Sequence, residues 1–335
     1  MRYTVFGAGA IGGTIGAHMV RGGEDVLFVD LAADHVRAMR ERGLTIRGFA
    51  ETFTVAVQAV TPDEARSESS LERVLLAVKA PATEAAVSSF ADLLAPNGCV
   101  VSIQNGLNEL AIARLVGERR TVGAFINFSA DYLEPGLIHF AGPGAFYLGE
   151  LDGSLSPRLE ELRGALGHWG DVRLTNNIWG FLWGKQAYGA MLFATALSDE
   201  SMADAIDQHR TLMAELANEV LGVASELRIQ PLGFDGFDPD ALRSRDAGLV
   251  DASLDQLVAR RRQDLKTHSG VWRDLVVRER RTEVDAHFQP VLAEARRLGL
   301  PTPLLDRMVE MVHEAEDGRR PLSTANLVEL GRLVQ

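Results

Sequence analysis

An α/β chain, a doubly wound parallel sheet followed by an all-helical C-terminal domain, is predicted by three observations. Short apolar runs alternate with helix-length amphipathic stretches through the first half of the sequence. The loop Gly7-Ala8-Gly9-Ala10-Ile11-Gly12 separates the first such run from the first helical stretch. After about residue 172 the strand signals fade and long helical patterns take over, which sets a first domain at residues 1–172 and a helical second domain at 173–335.

The elements follow in order. Residues 2–6 read as a strand, 10–21 as a helix, 25–30 as a strand and 33–42 as a helix. Further strands are expected at 52–57, 73–78, 99–103 and 122–128, the last three rich in β-branched or large apolar residues. Helices fill 82–94 and 109–115. Pro135, Gly136, Gly142, Pro143 and Gly144 then punctuate two strand-like pieces, 137–140 and 146–148, which suggests a hairpin at the sheet edge. In the helical half, the stretch 231–251, with its GFDGFDPD repeat of Phe, Gly and Asp, reads as an exposed loop or lid.

Composition narrows the partners. The 335 residues, 46% apolar and 24% charged, are those of an ordinary globular chain. A formal charge of −12 disfavours broad nucleic-acid binding and adhesion to anionic membrane, leaving a small molecule as the expected partner. The single cysteine, Cys99, excludes an intrachain disulfide framework, and the opening residues lead into glycines rather than a basic and apolar leader, so a cytoplasmic location is expected. There are only three lysines, Lys79, Lys185 and Lys266, against 31 arginines. Where chemistry needs an amine that can release a proton, arginine cannot substitute, so the three survivors are candidates.

The glycine loop sits where a strand opens into a helix, the context in which free N–H groups face a pyrophosphate. Asp30 ends the second strand 18 residues past Gly12, placed to accept hydrogen bonds from ribose hydroxyls and to repel a 2′-phosphate. NAD is therefore expected over NADP. The alternatives are a packing loop for the glycines and a solvated turn for Asp30.

Lys79 and Asn105 each end a strand, in LLAVKAPAT and SIQNGLNE, at the carboxyl edge where open α/β sheets place ligands. Lys185 is the only cation in the apolar stretch NNIWGFLWGKQAYGAMLFATAL, and burial would suit it to act as an acid. Glu283 lies at a helix start, with Thr282 as a candidate cap. His268, Asp285 and His287 lack metal-ligand spacing and read as solvated or capping residues, so no metal is expected.

In order and across nearly the whole chain, GAGAIGG, AVKA, QNGLNE, WGK and TEVD resemble the ketopantoate reductase (2-dehydropantoate 2-reductase) family. The resemblance implies a Rossmann-type domain followed by a helical one, a 6-phosphogluconate dehydrogenase-like architecture. It also implies hydride transfer from a nicotinamide cofactor to the ketone of a 2-oxo acid. By motif match, Lys185 would be the general acid, Asn105 would bind at the nicotinamide and substrate, and Glu283 would stabilise the substrate or the lysine. Lys79 would lie near cofactor and substrate, and Ser269, in HSGVWRD, falls at a substrate-binding serine of the family. Three positions depart from the pattern: Gly189 stands where an asparagine is usual one turn after the lysine, Gly270 where a second serine is common, and Leu31 where many members carry an arginine for the 2′-phosphate.

Three functions follow from these residues. The first is NAD(P)H-dependent reduction of a small 2-oxo acid to the 2-hydroxy acid, with NADP disfavoured by Asp30 and Leu31. The second is an NAD-dependent D-2-hydroxyacid dehydrogenase for a branched or aromatic substrate, since Gly189 leaves space beside the acid. The third is a non-catalytic NAD-binding sensor. The long helical half offers apolar faces that could pair in a homodimer.

Overall fold

The apolar N-terminal run forms β1 (Arg2–Phe6), buried from Tyr3 onward, and the stretch after the glycine loop forms α1 (Ala10–Arg21) in this computed structural model, which describes residues 1–68, 70–244, 246–263 and 266–334. β2 (Asp25–Val29) and α2 (Ala33–Arg42) repeat the unit. Three short strands come next, β3 (Leu44–Arg47), β4 (Thr52–Val55) and β5 (Gln58–Val60), and then the single turn α3 (Pro62–Ala65), closed by a capping box between Thr61 and Glu64. The alternation resumes with β6 (Leu71–Leu76), α4 (Thr83–Phe90), β7 (Leu94–Ser102), α5 (Glu109–Val116) and β8 (Thr121–Asn127). β9 (Ala130–Glu134), β10 (Leu137–Phe140), β11 (Ala145–Glu150), α6 (Pro157–Leu166) and β12 (Val172–Leu174) complete the first of two compact units, Met1–Ile178.

Six strands run parallel in the order β5-β2-β1-β6-β7-β8, and the chain reverses direction across the sheet at β1. That is the strand order of a doubly wound, Rossmann-type sheet, whose ligands bind beyond the carboxyl ends of the strands at the reversal. β11 adds to β8 antiparallel and β12 adds to β11 in parallel. Alternate strand residues feed two cores. Val5, Phe28, Leu75 and Val101 pack with Ile15 and Met19 of α1, while Phe6, Leu27, Leu76 and Val100 pack with Val87 and Phe90 of α4.

The hairpin expected from 137–140 and 146–148 does not form. β10 pairs in parallel with β3 and antiparallel with β9, so that β4-β3-β10-β9 make a separate four-stranded sheet, while β11 joins the main sheet. The intervening glycines cause the divergence rather than a tight turn. Gly142 takes φ +130°, and Gly144 lies so close to the end of β8 that a β-carbon on it would sit 1.9 Å from the Asn127 carbonyl oxygen.

The second unit, Trp179–Gln335, is helical. It contains all but the first residue of α7 (Ile178–Thr195), then α8 (Met202–Gln208), α9 (Arg210–Glu226), α10 (Pro239–Leu242) and α11 (Ala247–Arg262). α12 (Gly270–Val276), α13 (Val284–Leu298), α14 (Pro303–Glu316) and α15 (Thr324–Gly331) follow. Among the described residues no helix is long and apolar enough to cross a membrane. Residues 234–242 of the stretch expected to be an exposed loop or lid instead pack down as a tight turn and the short helix α10, with Phe234, Phe237, Pro239 and Leu242 buried. Asp235 (φ +45°) and Gly236 (φ +87°) make a two-residue turn, across which Phe234 and Phe237 exchange backbone hydrogen bonds of 3.1 and 2.8 Å. Both phenylalanines are buried, with ring centroids 5.6 and 5.5 Å from that of Tyr188 on α7. The aromatic residues around the Asp-Gly turn supply enough apolar area to hold the segment down.

Candidate active site

In the first unit the carboxyl ends of β1, β2, β6 and β7 collect Gly7 to Gly12, Asp30, Lys79 and Asn105 on one edge of the sheet. Gly7 has φ +98°, and a β-carbon there would lie 2.7 Å from the Val78 backbone nitrogen. A β-carbon on Gly12 would lie 2.2 Å from the Gly7 oxygen. Both positions thus require glycine. At Gly9, the N-cap of α1, a β-carbon would meet nothing within 4 Å. The loop therefore leaves open space where the first amides of α1, which have no acceptor within the helix, face outward. That is the form a diphosphate needs, so the residues present fit a dinucleotide.

Asp30 is half-buried and accepts a hydrogen bond at each carboxylate oxygen. Its Oδ2 accepts from the Ala8 N–H at 2.8 Å and its Oδ1 from the Ala32 N–H at 2.9 Å. Leu31 beside it is 81% exposed and offers no charge to a 2′-phosphate. The Ala8 carbonyl is bonded as well, to Nε2 of the buried His35 at 2.9 Å, while the Gly136 N–H donates to His35 Nδ1 at 3.0 Å. Neither His35 nor Gly136 carries a sequence signal for this role, because the two lie 101 residues apart.

Lys79 and Asn105 are both exposed on the loops after β6 and β7, and a chain of buried amides and one hydroxyl joins these loops. Gln104 donates from Nε2 to the Val78 carbonyl (2.7 Å) and to Thr83 Oγ1 (2.8 Å). Thr83 donates to Asn108 Oδ1 (3.2 Å), and Asn108 donates from Nδ2 to the Asn105 carbonyl (2.7 Å). Gln104, Thr83 and Asn108 thus fix the backbone on which the lysine and the asparagine stand. Two of the three belong to the QNGLNE segment; Thr83 gave no signal.

In the second unit, Lys185 and Gly189 lie one turn apart on α7, on the same face and both half-buried. The glycine before the lysine has a packing cause, since a β-carbon on Gly184 would sit 2.3 Å from the Leu232 carbonyl oxygen. Gly189 has none: its nearest neighbours would be Gln186 Oε1 at 3.9 Å and Phe288 Cζ at 4.0 Å. Gln186, buried beside Lys185, donates from Nε2 to the His287 carbonyl (2.8 Å) and accepts from His287 Nδ1 (3.1 Å). α7 is thereby tied to α13, at whose N-cap Glu283 stands, one turn before His287.

The approach to Glu283 is pinned by a buried carboxylate. Glu316 Oε1 accepts from the Thr282 N–H (2.7 Å) and hydroxyl (2.6 Å), and its Oε2 pairs with His313 Nδ1 (2.8 Å). Thr282 Oγ1 accepts in turn from the Val284 N–H at 3.2 Å, so the threonine serves the first turn of α13 while Glu283 takes the N-cap position. Burial works against the charged form of His313, but Glu316 and Asp285 on either side outweigh it and raise its pKa above the ordinary histidine value. Ser269 is buried at the N-cap of α12, where Oγ accepts from the Trp272 N–H at 3.2 Å; the hydroxyl hydrogen can still donate.

The ketopantoate reductase PanE/ApbA profile matches residues 3–153, and the profile of its C-terminal region matches 177–316. The chain is 27% identical to the 2-dehydropantoate 2-reductase of Mesorhizobium japonicum over 93% of its own length and 97% of the relative's. Among solved structures it is similar to 2-dehydropantoate 2-reductase from Geobacter metallireducens, at 26% identity, TM-score 0.79, covering 94% of this chain and 100% of that one. It shares its fold with D-mandelate dehydrogenase in a ternary complex with NADH and anilino(oxo)acetate, at 23% identity, TM-score 0.81, covering 96% and 100%. With both halves matched and the glycine loop, strand-end and helix motifs in register, the chain belongs to the ketopantoate reductase family of oxidoreductases, which act on a CH–OH group.

Proposed function

We propose that this protein is an NAD-dependent reductase of a small 2-oxo acid, with Lys185 as the general acid. The observation that carries the reading is Lys185 itself, the single cation of an otherwise apolar helix, half-buried and followed one turn later by a glycine that packing does not demand. The residues that would hold the dinucleotide are Gly7 to Gly12 and Asp30, and a bound reduced nicotinamide supplies the hydride. Lys185 Nζ donates its proton to the carbonyl oxygen as negative charge grows there, which stabilises the alkoxide and completes the alcohol. Glu283 balances the ammonium and orients it or the substrate. Asn105 and Lys79 bind at the nicotinamide and the substrate, and the Ser269 hydroxyl donates to the substrate. The fixed carboxylate of Asp30 and the uncharged Leu31 favour NAD over NADP.

A second reading, a D-2-hydroxyacid dehydrogenase acting on a branched or aromatic substrate, is favoured by the space beside Gly189 and the Phe288 ring that borders it. D-mandelate dehydrogenase, with its aromatic ligand, shares the fold. NADH consumption by the purified protein against a panel of 2-oxo acids separates the readings. Turnover on ketopantoate supports the first, and turnover on bulky 2-oxo acids alone supports the second. NADH binding without turnover on any of them would leave only the sensor.

A further inference from the structure

We infer that His35 is a positioning residue for the dinucleotide, aiming the Gly9 amide at the diphosphate through its hold on the Ala8 carbonyl. This rests on the reading of the glycine loop as a dinucleotide site.

The geometry starts from the small sheet. The Gly136 backbone N–H, in the turn between β9 and β10, can only donate, so Nδ1 of His35 is the accepting nitrogen and Nε2 carries the hydrogen. That hydrogen is donated to the Ala8 carbonyl oxygen at 2.9 Å. In a trans peptide the carbonyl and the following N–H point in opposite directions, so fixing the Ala8 oxygen on one side fixes the Gly9 N–H on the other. The space around Gly9 is open, and Gly9 opens α1, where anions are favoured. Asp30 holds the Ala8 N–H at 2.8 Å, so both polar groups of this residue are spoken for and its peptide planes cannot turn. His35 itself is 1% exposed, with the Tyr132 ring edge-on at 5.1 Å, and has no room to swing away.

Two substitutions divide the histidine's two bonds. An asparagine amide reaches about as far as Nδ1 and can accept from Gly136, whereas a glutamine amide reaches about as far as Nε2 and can donate to Ala8. NADH affinity is read directly from nicotinamide fluorescence on titration, alongside steady-state kinetics and Tm. His35→Gln is expected to hold the Kd within about twofold of the unaltered protein, and His35→Asn to weaken it about tenfold, the scale of one net hydrogen bond, with kcat at saturating NADH little changed. Equal Kd values for the two variants would overturn the inference, as would NADH affinity unchanged in His35→Asn. Should His35→Asn not fold, the unaltered protein still decides: with isotope-labelled histidine, the His35 Nε2 proton resonance is expected to move on NADH addition, and a resonance that does not move overturns the inference. An unaltered protein that binds no NADH would instead overturn the cofactor assignment, a different failure from variants that bind alike.

Discussion

Gln186 and His287, 101 residues apart, exchange two hydrogen bonds, side-chain amide to backbone carbonyl and imidazole to side-chain carbonyl. The pair sets the register between α7, one residue after Lys185, and α13, one turn after Glu283. Gln186→Leu keeps the apolar volume but leaves the His287 groups without these partners, a loss of about 1–3 kcal/mol for a buried donor or acceptor. We expect a lower Tm together with a fall in kcat larger than the change in KM for NADH. A fall in Tm with unchanged kcat would show that the pair sets stability and not the site.

Lys185→Ala should lower kcat by about 10²–10⁴-fold, the usual worth of positioned proton transfer. The NADH Kd, measured by fluorescence, should stay within experimental scatter. Lys185→Arg should be nearly as slow, because guanidinium holds its proton at any workable pH.

Asp30→Ala combined with Leu31→Arg should move the cofactor preference toward NADPH. The ratio of kcat/KM for NADH to that for NADPH is expected to fall by at least about tenfold, the scale of one charge-assisted hydrogen bond. Asp30→Ala alone also releases the Ala8 N–H, so it should weaken both dinucleotides.

Filling the space on α7 should narrow the substrate range. Gly189→Asn meets nothing closer than 3.9 Å at its β-carbon and replaces a poor helix former, so its Tm should hold or rise. The ratio of kcat/KM for ketopantoate over a bulkier 2-oxo acid should increase by about 10–200-fold, the discrimination available from a small change in pocket volume.

Glu219 of α9 accepts from the Leu304 and Leu305 N–H groups at 2.9 and 2.8 Å and so caps α14 from outside. Burial nevertheless pushes its carboxyl up to about 7, the two N–H bonds opposing that rise only in part. An acid with a raised pKa binds its proton more tightly when folded, so its contribution to stability is present at low pH and is lost as pH rises through about 7. Between about pH 5 and pH 8, Tm should fall more for the unaltered protein than for Glu219→Gln. Parallel curves would show that Glu219 does not titrate in this window.

The central sheet was legible because its strands are covered on both faces and read as near-continuous apolar runs, as in 74–78 and 99–101. The small sheet was legible only in part: β4 and β10 form where strands were expected at 52–57 and 137–140, but β3 is four residues long, too short for a period to emerge, and β9 is half-buried or exposed throughout, with no fully buried residue. Turn chemistry misled twice for the same reason. Glycine and proline near 142–144, and Asp-Gly at 235–236, mark where the chain bends but not what it then packs against. Residues such as His35, Gln186 and Thr83 were silent because their partners are distant in sequence, and local pattern holds no trace of such pairs. His287 was noticed for its neighbours in sequence, yet its ring bonds to Gln186 on another helix.

The parallel pairing of β3 with β10 has a consequence for the order of synthesis. Thr45 finds its partner Leu137 only after the chain between them has been made, and the turn that carries Gly136 arrives with it. A ribosome that has released the chain only as far as β8 has delivered the glycine loop, Asp30 and His35, but not the amide that selects the histidine's tautomer. The hydrogen bond that selects the histidine's tautomer can therefore form only after all six parallel strands have been synthesised.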